Sequence, residues 1–309
     1  MSADEQALEL GHFLRARRQQ LKPDQVGLPI TGHRRVQGLR REEVALLASI
    51  TTDYYTRIEQ GRRPASEAVL DTLCRVMLLN PDEREYAFGL ARTTVSRARG
   101  VARPKPTWER VPTGILDLIH AFRDTPAVIQ NGRLDLVAGN LLGQALYAIL
   151  TGDRPLDLQS PAAAGLGPQR PNLSRFIFLD PRAAEFFVDW DAAADDAVAM
   201  LRLEAGHSPY DKGLTDLVGE LATRSEPFRI RWAGHAIRAH NRGDKRLRHS
   251  VVGELSLHFE ALPIPDSGGL TLYSYTAGPQ SASVESLRLL GSWAATEAAQ
   301  NEAASSALR

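Results

Sequence analysis

The chain of 309 residues contains a single cysteine, Cys74, and no long apolar run. One thiol cannot form an internal disulfide or a cysteine-rich metal site, and its spacing from Leu70, Leu73 and Met77 predicts a buried helical side chain. No apolar stretch approaches the ~18 residues that a membrane-spanning helix needs, and no basic-then-apolar leader opens the sequence. We therefore expect a protein that stays in the cytoplasm and has no membrane partner.

Net charge is absent too, because 37 basic residues balance 37 acidic ones. That balance argues against a protein that coats nucleic acid along its whole length. The charge is uneven, however: residues 11–63 hold roughly 11 lysines and arginines against 5 acids, a local excess of about +6. Such an excess is typical of a surface that faces a phosphate backbone, and solvated surface charge is the equal alternative until a motif is found.

Catalytic signatures are also missing. The sequence has no phosphate-binding glycine loop, no Gly-x-Ser-x-Gly elbow and no paired zinc motif. Four histidines, His235, His240, His249 and His258, fall within one stretch, but their spacing is not that of a zinc site. Structural or solvent-exposed histidines are the better interpretation. We expect no catalytic residue, no metal, no cofactor and no enzymatic activity.

The first third of the chain predicts short helices with one interruption. Apolar spacing predicts a first helix that ends near Pro23. Residues 22–38, with two prolines, three glycines and the basic group at 33–35 (His-Arg-Arg), are interpreted as a loop, and residues 97–112 as a basic, semi-extended linker. Further helices are predicted over residues 40–48, 52–60 and 66–79.

The second half mixes strands and helices. Asn131-Gly132 between two short apolar runs is a hairpin signal, and residues 254–260 alternate polar and apolar as a sheet with one wet face does. Strands are predicted over residues 127–130, 134–137, 236–239, 245–249, 253–262 and 270–276. Helices are predicted over residues 140–150, 173–178, 182–205, 212–224 and 283–299. The sequence thus predicts a multidomain chain, all-α followed by α+β with an antiparallel sheet.

Residues 39–64, LRREEVALLASITTDYYTRIEQGRRP, carry the functional signal. Two helices that cross steeply need a small residue where their backbones approach, and Ala45 supplies it. A short turn follows, and Thr51 or Thr52 can cap the second helix. The stretch therefore predicts a helix-turn-helix.

The second helix of this motif presents Thr52, Asp53 and Arg57 away from the core. Such a helix fits the major groove of DNA, with its first turn at the base edges. Arg62 and Arg63 follow a glycine that can take the left-handed helix end, and they are placed to contact phosphates.

These residues resemble the helix-turn-helix of the lambda-repressor-like, or XRE, family. The string GLRREEVALLASITTDYYTRIEQGR, with the insertion before it, is closer still to the MmyB-like regulators. Three later segments, residues 172–181 (NLSRFIFLDP), 228–235 and 245–255 (KRLRHSVVGEL), are similar to that family's C-terminal ligand-binding domain. The resemblance covers nearly the whole chain.

The resemblance implies a helix-turn-helix DNA-binding domain over residues 1–96, the linker over 97–112, and a PAS-like ligand-binding and dimerisation domain over 113–309. By position in the motif, the base contacts would be Thr52, Asp53 and Arg57. The backbone contacts would be Arg41, Thr51, Gln60, Arg62 and Arg63.

Two further positions of the motif carry structural expectations. Glu59 resembles the family's core glutamate, which pairs with an arginine of the first helix, and Arg18 is our candidate partner. Ser49 stands where the family has a turn glycine, so we expect a strained backbone there.

The resemblance also implies the partners: double-stranded operator DNA and an apolar small molecule such as a fatty acid. Candidate residues for the ligand pocket are Phe186, Trp190, Trp232 and Phe259, which would otherwise only fill the core. A homodimer is expected, since one helix-turn-helix rarely binds tightly alone. The alternative is a C-terminal domain that only dimerises or docks a protein partner.

Overall fold

The computed structural model describes residues 3–29, 36, 38–97, 111–151, 170–208, 211–234 and 242–307. The chain divides into two units. Unit 1 comprises Met1–Pro104, Arg202–Thr215 and Ile230–Ala239, and unit 2 comprises Lys105–Leu201, Asp216–Arg229 and His240–Arg309. Several predictions fall outside the described residues: the basic group at 33–35, most of the linker and the strand at 236–239.

The N-terminal part of unit 1 is helical, as predicted. Its elements are α1 (Ala3–Gln20), a 3-10 turn (Pro23–Val26), α2 (Arg41–Leu47), α3 (Thr52–Glu59), α4 (Glu67–Val76) and α5 (Pro81–Arg97). Each helix contributes buried apolar side chains to one core, among them Leu14, Val44, Tyr55, Leu73 and Tyr86. Cys74 belongs to this core, and its burial raises the pKa of the thiol to about 11, so it is an inert packing residue.

The rest of the chain combines helices with a sheet. The helices are α6 (Thr113–Ala121), α7 (Leu141–Leu146), α8 (Leu173–Leu179), α9 (Ala183–Phe186), α10 (Trp190–His207), α11 (Lys212–Arg224), α12 (Glu226–Ala233) and α13 (Ala282–Ala307), with a 3-10 turn at Ala148–Thr151. The strands are β1 (Ala127–Gln130), β2 (Leu136–Gly139), β3 (Arg242–His249), β4 (Gly253–Pro263) and β5 (Thr271–Ala277).

The five strands form one sheet in the order β2-β1-β5-β4-β3, with every neighbouring pair antiparallel. One isolated bridge lies at each edge of the sheet, Phe187 with Leu247 of β3 and Asn172 with Asp135 just before β2. The predicted α+β class is therefore confirmed.

The two faces of the sheet differ. On one face, Ile119 of α6 packs with Ile129 of β1 and Leu272 of β5. Side chains alternate along β5, so Tyr275 points to the face opposite Leu272. There its ring contacts the ring of Tyr147, which follows α7, and the Tyr147 ring contacts Phe186. This second face supports the aromatic interior of unit 2.

The structure corrects several predicted element bounds. β2 begins two residues later than predicted, because Leu134 takes a left-handed φ of 64° and the Asn131 side chain accepts the N–H groups of Arg133 and Asp135. The helix predicted over 182–205 is two helices, α9 and α10, since Phe187 and Val188 turn to bond with β3. Helices α6 and α12 were not predicted.

Candidate functional site

The geometry of the turn between α2 and α3 places α3 on the surface. Ala45 is 1% exposed, and its carbonyl accepts the N–H of Ile50 at 3.0 Å. Ser49 has φ 53°, so the strained turn expected at this position is observed. The Thr51 side chain then accepts the N–H of Tyr54 at 3.2 Å and caps α3.

The outward face of α3 is polar. Thr52, Asp53 and Arg57 are exposed, whereas Tyr55 and Ile58 on the opposite face are buried. Arg57 forms an i,i+4 ion pair of 3.0 Å with Asp53. An exposed pair of this kind contributes at most ~1 kcal/mol, so both side chains can exchange this contact for another. The structure thus brings together the three predicted base-contacting residues on one accessible helix face.

A buried cluster of charges holds α3 against α1. Glu59 is 4% exposed, and its two carboxylate oxygens accept hydrogen bonds from Nε and Nη2 of Arg18, each at 3.0 Å. Nη1 of Arg18 donates to the carbonyl of Leu39 at 2.7 Å. The predicted pairing of Glu59 with Arg18 is confirmed.

Arg41 also joins this cluster. Its Nε and Nη2 donate to Oε1 of Glu59 at 3.1 and 2.9 Å, and its side chain is 40% exposed. Burial raises the pKa of Glu59, but the hydrogen bonds from Arg18 and Arg41 outweigh that effect and hold the pKa below its usual value. Arg41 is thus a structural ligand of Glu59 as well as a predicted phosphate contact, and the sequence did not reveal the first role.

The remaining predicted backbone contacts flank the C-terminal end of α3. Gln60, Arg62 and Arg63 are exposed, and the Arg63 guanidinium lies 4.9 Å from the centre of the Tyr54 ring. Gly61 has φ 68°, which confirms the left-handed helix end, and a Cβ there would lie 2.8 Å from Cα of Leu8. This close approach fixes the direction in which the chain leaves α3.

A small basic cleft lies beside this helix end. Its volume is about 330 Å³, and its walls come from α1, Arg41 and the end of α3. The cleft adds two residues of α1, His12 and Arg15, which were not predicted. Their spacing of three residues on the polar face of a helix was the available signal. Four basic side chains line the cleft: His12, Arg15, Arg41 and Arg62.

The four predicted pocket residues are not brought together in one place. Phe186 and Phe259 are buried in unit 2 and are linked through a chain of ring contacts by Tyr147 and Tyr275. Trp190 is half-buried, donates from its indole to the carbonyl of Ile177 at 3.0 Å, and contacts the Phe178 ring. Trp232 belongs to unit 1.

Polar groups accompany the aromatic interior of unit 2. The hydroxyls of Tyr147 and Tyr275 share a hydrogen bond of 2.7 Å and are fully buried. Burial raises the pKa of Tyr147 to about 12, although the bond to Tyr275 lowers it somewhat, so both phenols stay neutral. The interior is therefore apolar but contains two neutral, hydrogen-bonded hydroxyl groups.

A surface groove of about 1140 Å³ also lies in unit 2. It runs between the end of α6, the start of α7, the end of β5 and α13, and none of the four predicted pocket residues lines it. Its walls include the apolar residues Leu141, Leu142, Val284 and Leu287. Leu141 is 41% exposed in the groove.

The described histidines have structural partners. His249 donates to the carbonyl of Ala145 at 3.1 Å, and exposed His258 lies between Asp244 and Glu260, whose hydrogen bonds raise its pKa. Within the described ranges, no group of three potential ligands could hold a metal ion. Within the same ranges, no helix combines the length and apolarity needed to cross a membrane. His235 and His240 lie outside those ranges.

Comparisons with known proteins match both halves of the chain. A family model described as the MmyB-like transcription regulator ligand binding domain matches residues 111–290, more than half of the chain. A second model, described as a helix-turn-helix domain, matches residues 9–87. No curated protein matches.

Proposed function

Because the chain belongs to the MmyB-like transcription regulators, we propose that it reads operator DNA with α3 and senses a small apolar metabolite, such as a fatty acid, with its C-terminal domain. The observation that carries the DNA-binding half is the exposed polar face of α3, held rigidly by the buried cluster of Glu59, Arg18 and Arg41. Neither matching family is a class of enzyme. The site of action we propose is the cytoplasm.

The aromatic interior of unit 2 supports the sensing half. Phe259, Tyr275, Tyr147 and Phe186 give one face of the sheet an apolar surface that suits an apolar ligand. A ligand changes DNA affinity only if it binds two arrangements of the protein with different affinities, and a coupling of about 1–3 kcal/mol is typical. We therefore expect the ligand to change operator affinity by roughly 5- to 150-fold, which is the change in affinity that this coupling energy corresponds to.

Genome-wide mapping of bound DNA would identify the operator sequence. The affinity of the delipidated full chain for that operator should then be measured by electrophoretic mobility shift with and without saturating laurate. A change of several-fold supports sensing. If laurate leaves operator affinity unchanged and native mass spectra of the purified protein show no lipid, the chain binds DNA but does not sense an apolar ligand.

A second function is favoured by the groove of unit 2. The exposed Leu141 lines it together with Leu142, Val284 and Leu287, among polar neighbours. Exposed apolar side chains grouped in one place are typical of a surface that docks another. The C-terminal domain would then dimerise or dock a protein partner without sensing a ligand. Light scattering at micromolar concentration tests the groove as an interface: Leu141→Glu should convert a homodimer to a monomer only if the groove forms the contact.

Arg57→Ala is expected to weaken operator binding by about 1–3 kcal/mol and to relax specificity at one base pair. The exposed ion pair with Asp53 contributes little to folding, so the melting temperature should stay near that of the wild type. Titrations against the operator and against random DNA measure the effect. Equal losses on both would assign Arg57 to the phosphate backbone instead of the bases.

Arg62→Ala and Arg63→Ala should each reduce the slope of log affinity against log salt concentration by ~1, because each removes one phosphate contact. Arg84→Ala is the matched control, since it removes an exposed cation of α5 that pairs with Asp71 at 2.7 Å. The control slope should equal the wild-type slope. Unchanged slopes for both test variants would show that neither arginine contacts DNA.

A further inference from the structure

The basic cleft beside the end of α3 stands out by the arginines that line it. Elsewhere in the described residues up to 91, each arginine side chain contacts a carboxylate, a carbonyl or an aromatic ring. These partnered arginines are Arg17, Arg18, Arg40, Arg41, Arg57, Arg63, Arg75 and Arg84. Arg15 and Arg62 both line the cleft, and neither guanidinium has an ion pair or hydrogen bond with another described residue.

Two elements far apart in the sequence build the cleft. Leu8, His12 and Arg15 follow each other at intervals of four and three residues, so they lie on one face of α1, and all three are exposed. Arg62 comes from the chain that leaves α3. The close approach of Gly61 to Leu8 holds that chain against α1 and places Arg62 in the wall opposite Arg15.

The acid at the inner wall of the cleft does not supply the missing counter-charge. Glu59 is buried, and Arg18 alone already donates to both of its carboxylate oxygens. Arg41 is a second cation on Oε1 of Glu59, and its side chain is 40% exposed. Arg41 can therefore turn toward an anion in the cleft while Glu59 keeps its buried partner.

This excess of positive charge determines which occupant suits the cleft. Exposed cations repel one another only weakly in water, so the fold tolerates their convergence, but a concave wall of one sign attracts anions. Guanidinium groups bind phosphate with particular strength because they donate several N–H groups from one plane. The rim also carries Leu8, an apolar side chain that is 44% exposed. Phosphate beside an apolar ring is the chemistry of a DNA strand, which alternates phosphate with deoxyribose.

We propose that the basic cleft seats one phosphate of the operator backbone, held by Arg15 and Arg62, so that α1 contacts DNA together with α3. The inference rests on the proposed DNA-binding function and extends its contact surface to a helix outside the helix-turn-helix. Arg41 and His12 complete the seat with further N–H donors, and Leu8 packs on the adjoining sugar. Phosphate contacts fix the position of a protein on the duplex without reading its sequence. The cleft therefore sets the register in which α3 meets the bases.

The first test measures the salt dependence of operator binding by the full chain. Arg15→Ala should weaken binding about 10-fold, the loss that one charge-assisted hydrogen bond gives, and reduce the slope of log affinity against log salt by ~1. Arg15→Lys keeps the charge and should keep the slope. Arg75→Ala is the matched control, since it removes an exposed cation of α4 that pairs with Asp71 at 3.4 Å. Wild-type affinity and slope for Arg15→Ala would overturn the inference.

The second test locates the phosphate. Ethylation interference should show one contacted position fewer for Arg15→Ala than for the wild type. An operator with a neutral methylphosphonate at that position should then bind Arg15→Ala, Arg62→Ala and the wild type with nearly equal affinity, because the anion that both arginines hold is gone. Arg63 does not line the cleft, so Arg63→Ala should lose as much affinity on the neutral operator as on the native one.

The remaining outcomes separate the seat from its alternatives. Arg15 is exposed and unpaired among the described residues, so Arg15→Ala should melt at the wild-type temperature. Equal losses for Arg15→Ala on the native and neutral operators would show that it acts away from this phosphate. Calorimetric binding of inorganic phosphate that Arg15→Ala abolishes, with operator affinity unchanged, would assign the cleft to a free anion. A wild type that binds no operator would remove the proposed function itself.

Discussion

Glu59→Ala is expected to unfold the helical part of unit 1. The substitution leaves Arg18 buried with one hydrogen-bond acceptor, the Leu39 carbonyl, and deprives Arg41 of its partner as well. Breaking a buried ion pair from one side costs about 3–5 kcal/mol, which is a large part of the stability of a small domain. Operator binding should be lost because the fold is lost.

Hydrogen exchange with mass spectrometry locates the effect. Peptides from residues 3–29 and 38–97 should lose protection, whereas peptides from β4 and β5 should keep it. Glu42→Ala is the matched control, because Glu42 is an exposed acid on α2 that forms a surface ion pair with Arg40. The change in its stability should stay within about 0.5 kcal/mol. A Glu59→Ala protein with wild-type protection in α1 and α3 would refute the structural role.

The double variant Arg18→Met with Glu59→Leu separates charge from packing. Replacing both partners of a buried pair by apolar side chains of similar volume is often neutral or stabilising. The double variant should therefore recover much of the stability that Glu59→Ala loses. A double variant as unstable as the single one would mean that Arg41 or the shape of the site, and not the unpaired Arg18 charge, dominates.

The same cluster sets an acid limit for the domain. The pKa of Glu59 is lower in the folded state than its ordinary value, so its stabilising effect is fully present above that ordinary value. The effect is lost as the pH falls through the folded-state pKa, where protonation removes the acceptor charge for Arg18 and Arg41. The melting temperature of the helical part of unit 1 should therefore fall on acidification. That fall should be smaller in the double variant Arg18→Met with Glu59→Leu.

What the sequence could predict depended on distance along the chain. The helix-turn-helix was predictable because its signals are local: a small residue at the crossing, a capping threonine and a glycine after α3. The pairing of Arg18 with Glu59 spans 41 residues and was predicted only through the family resemblance. Spacing alone gives no information about which residues meet over such a distance.

The errors have the same origin. Residues 187–188 interrupt a predicted helix because their backbone bonds to β3, about 60 residues later, and no local pattern contains that information. The pocket residues were selected by size and apolarity, and these properties place a side chain in some core without saying which one.

The start of α12 shows a signal that was present but not used. Ser225, Glu226 and Pro227 form a helix-start pattern: a capping serine, an acid in the first turn and an early proline. In the structure, the Ser225 hydroxyl accepts the N–H of Phe228 at 3.3 Å. This helix was predictable from the sequence.

Asn140→Ala is expected to destabilise unit 2 by about 3–5 kcal/mol, because one buried side chain satisfies four backbone groups. Asn140 is 3% exposed, and its Oδ1 accepts the N–H groups of Ala127 at 3.0 Å and Gly143 at 2.8 Å. Its Nδ2 donates to the carbonyls of Phe122 at 3.1 Å and Thr125 at 2.8 Å. The side chain therefore joins the end of α6, the start of β1 and the cap of α7.

Asn140→Asp separates the two hydrogen bonds that Oδ1 accepts from the two that Nδ2 donates. The aspartate keeps both acceptor contacts and loses both donor contacts, so its destabilisation should be intermediate, whereas alanine leaves two N–H and two carbonyl groups without partners in a buried site. Thr223→Ala is the control, since the exposed Thr223 hydroxyl bonds only to the carbonyl of Gly219 in its own helix. The stability of unit 2 is measured by urea unfolding, followed by hydrogen exchange in β1 and β5. It should decrease in the order wild type, Thr223→Ala, Asn140→Asp, Asn140→Ala. If Asn140→Ala unfolded at the same urea concentration as the control, the four bonds would contribute little, and the helix–strand junction would depend on the apolar contacts of Ile119, Ile129 and Leu272 instead.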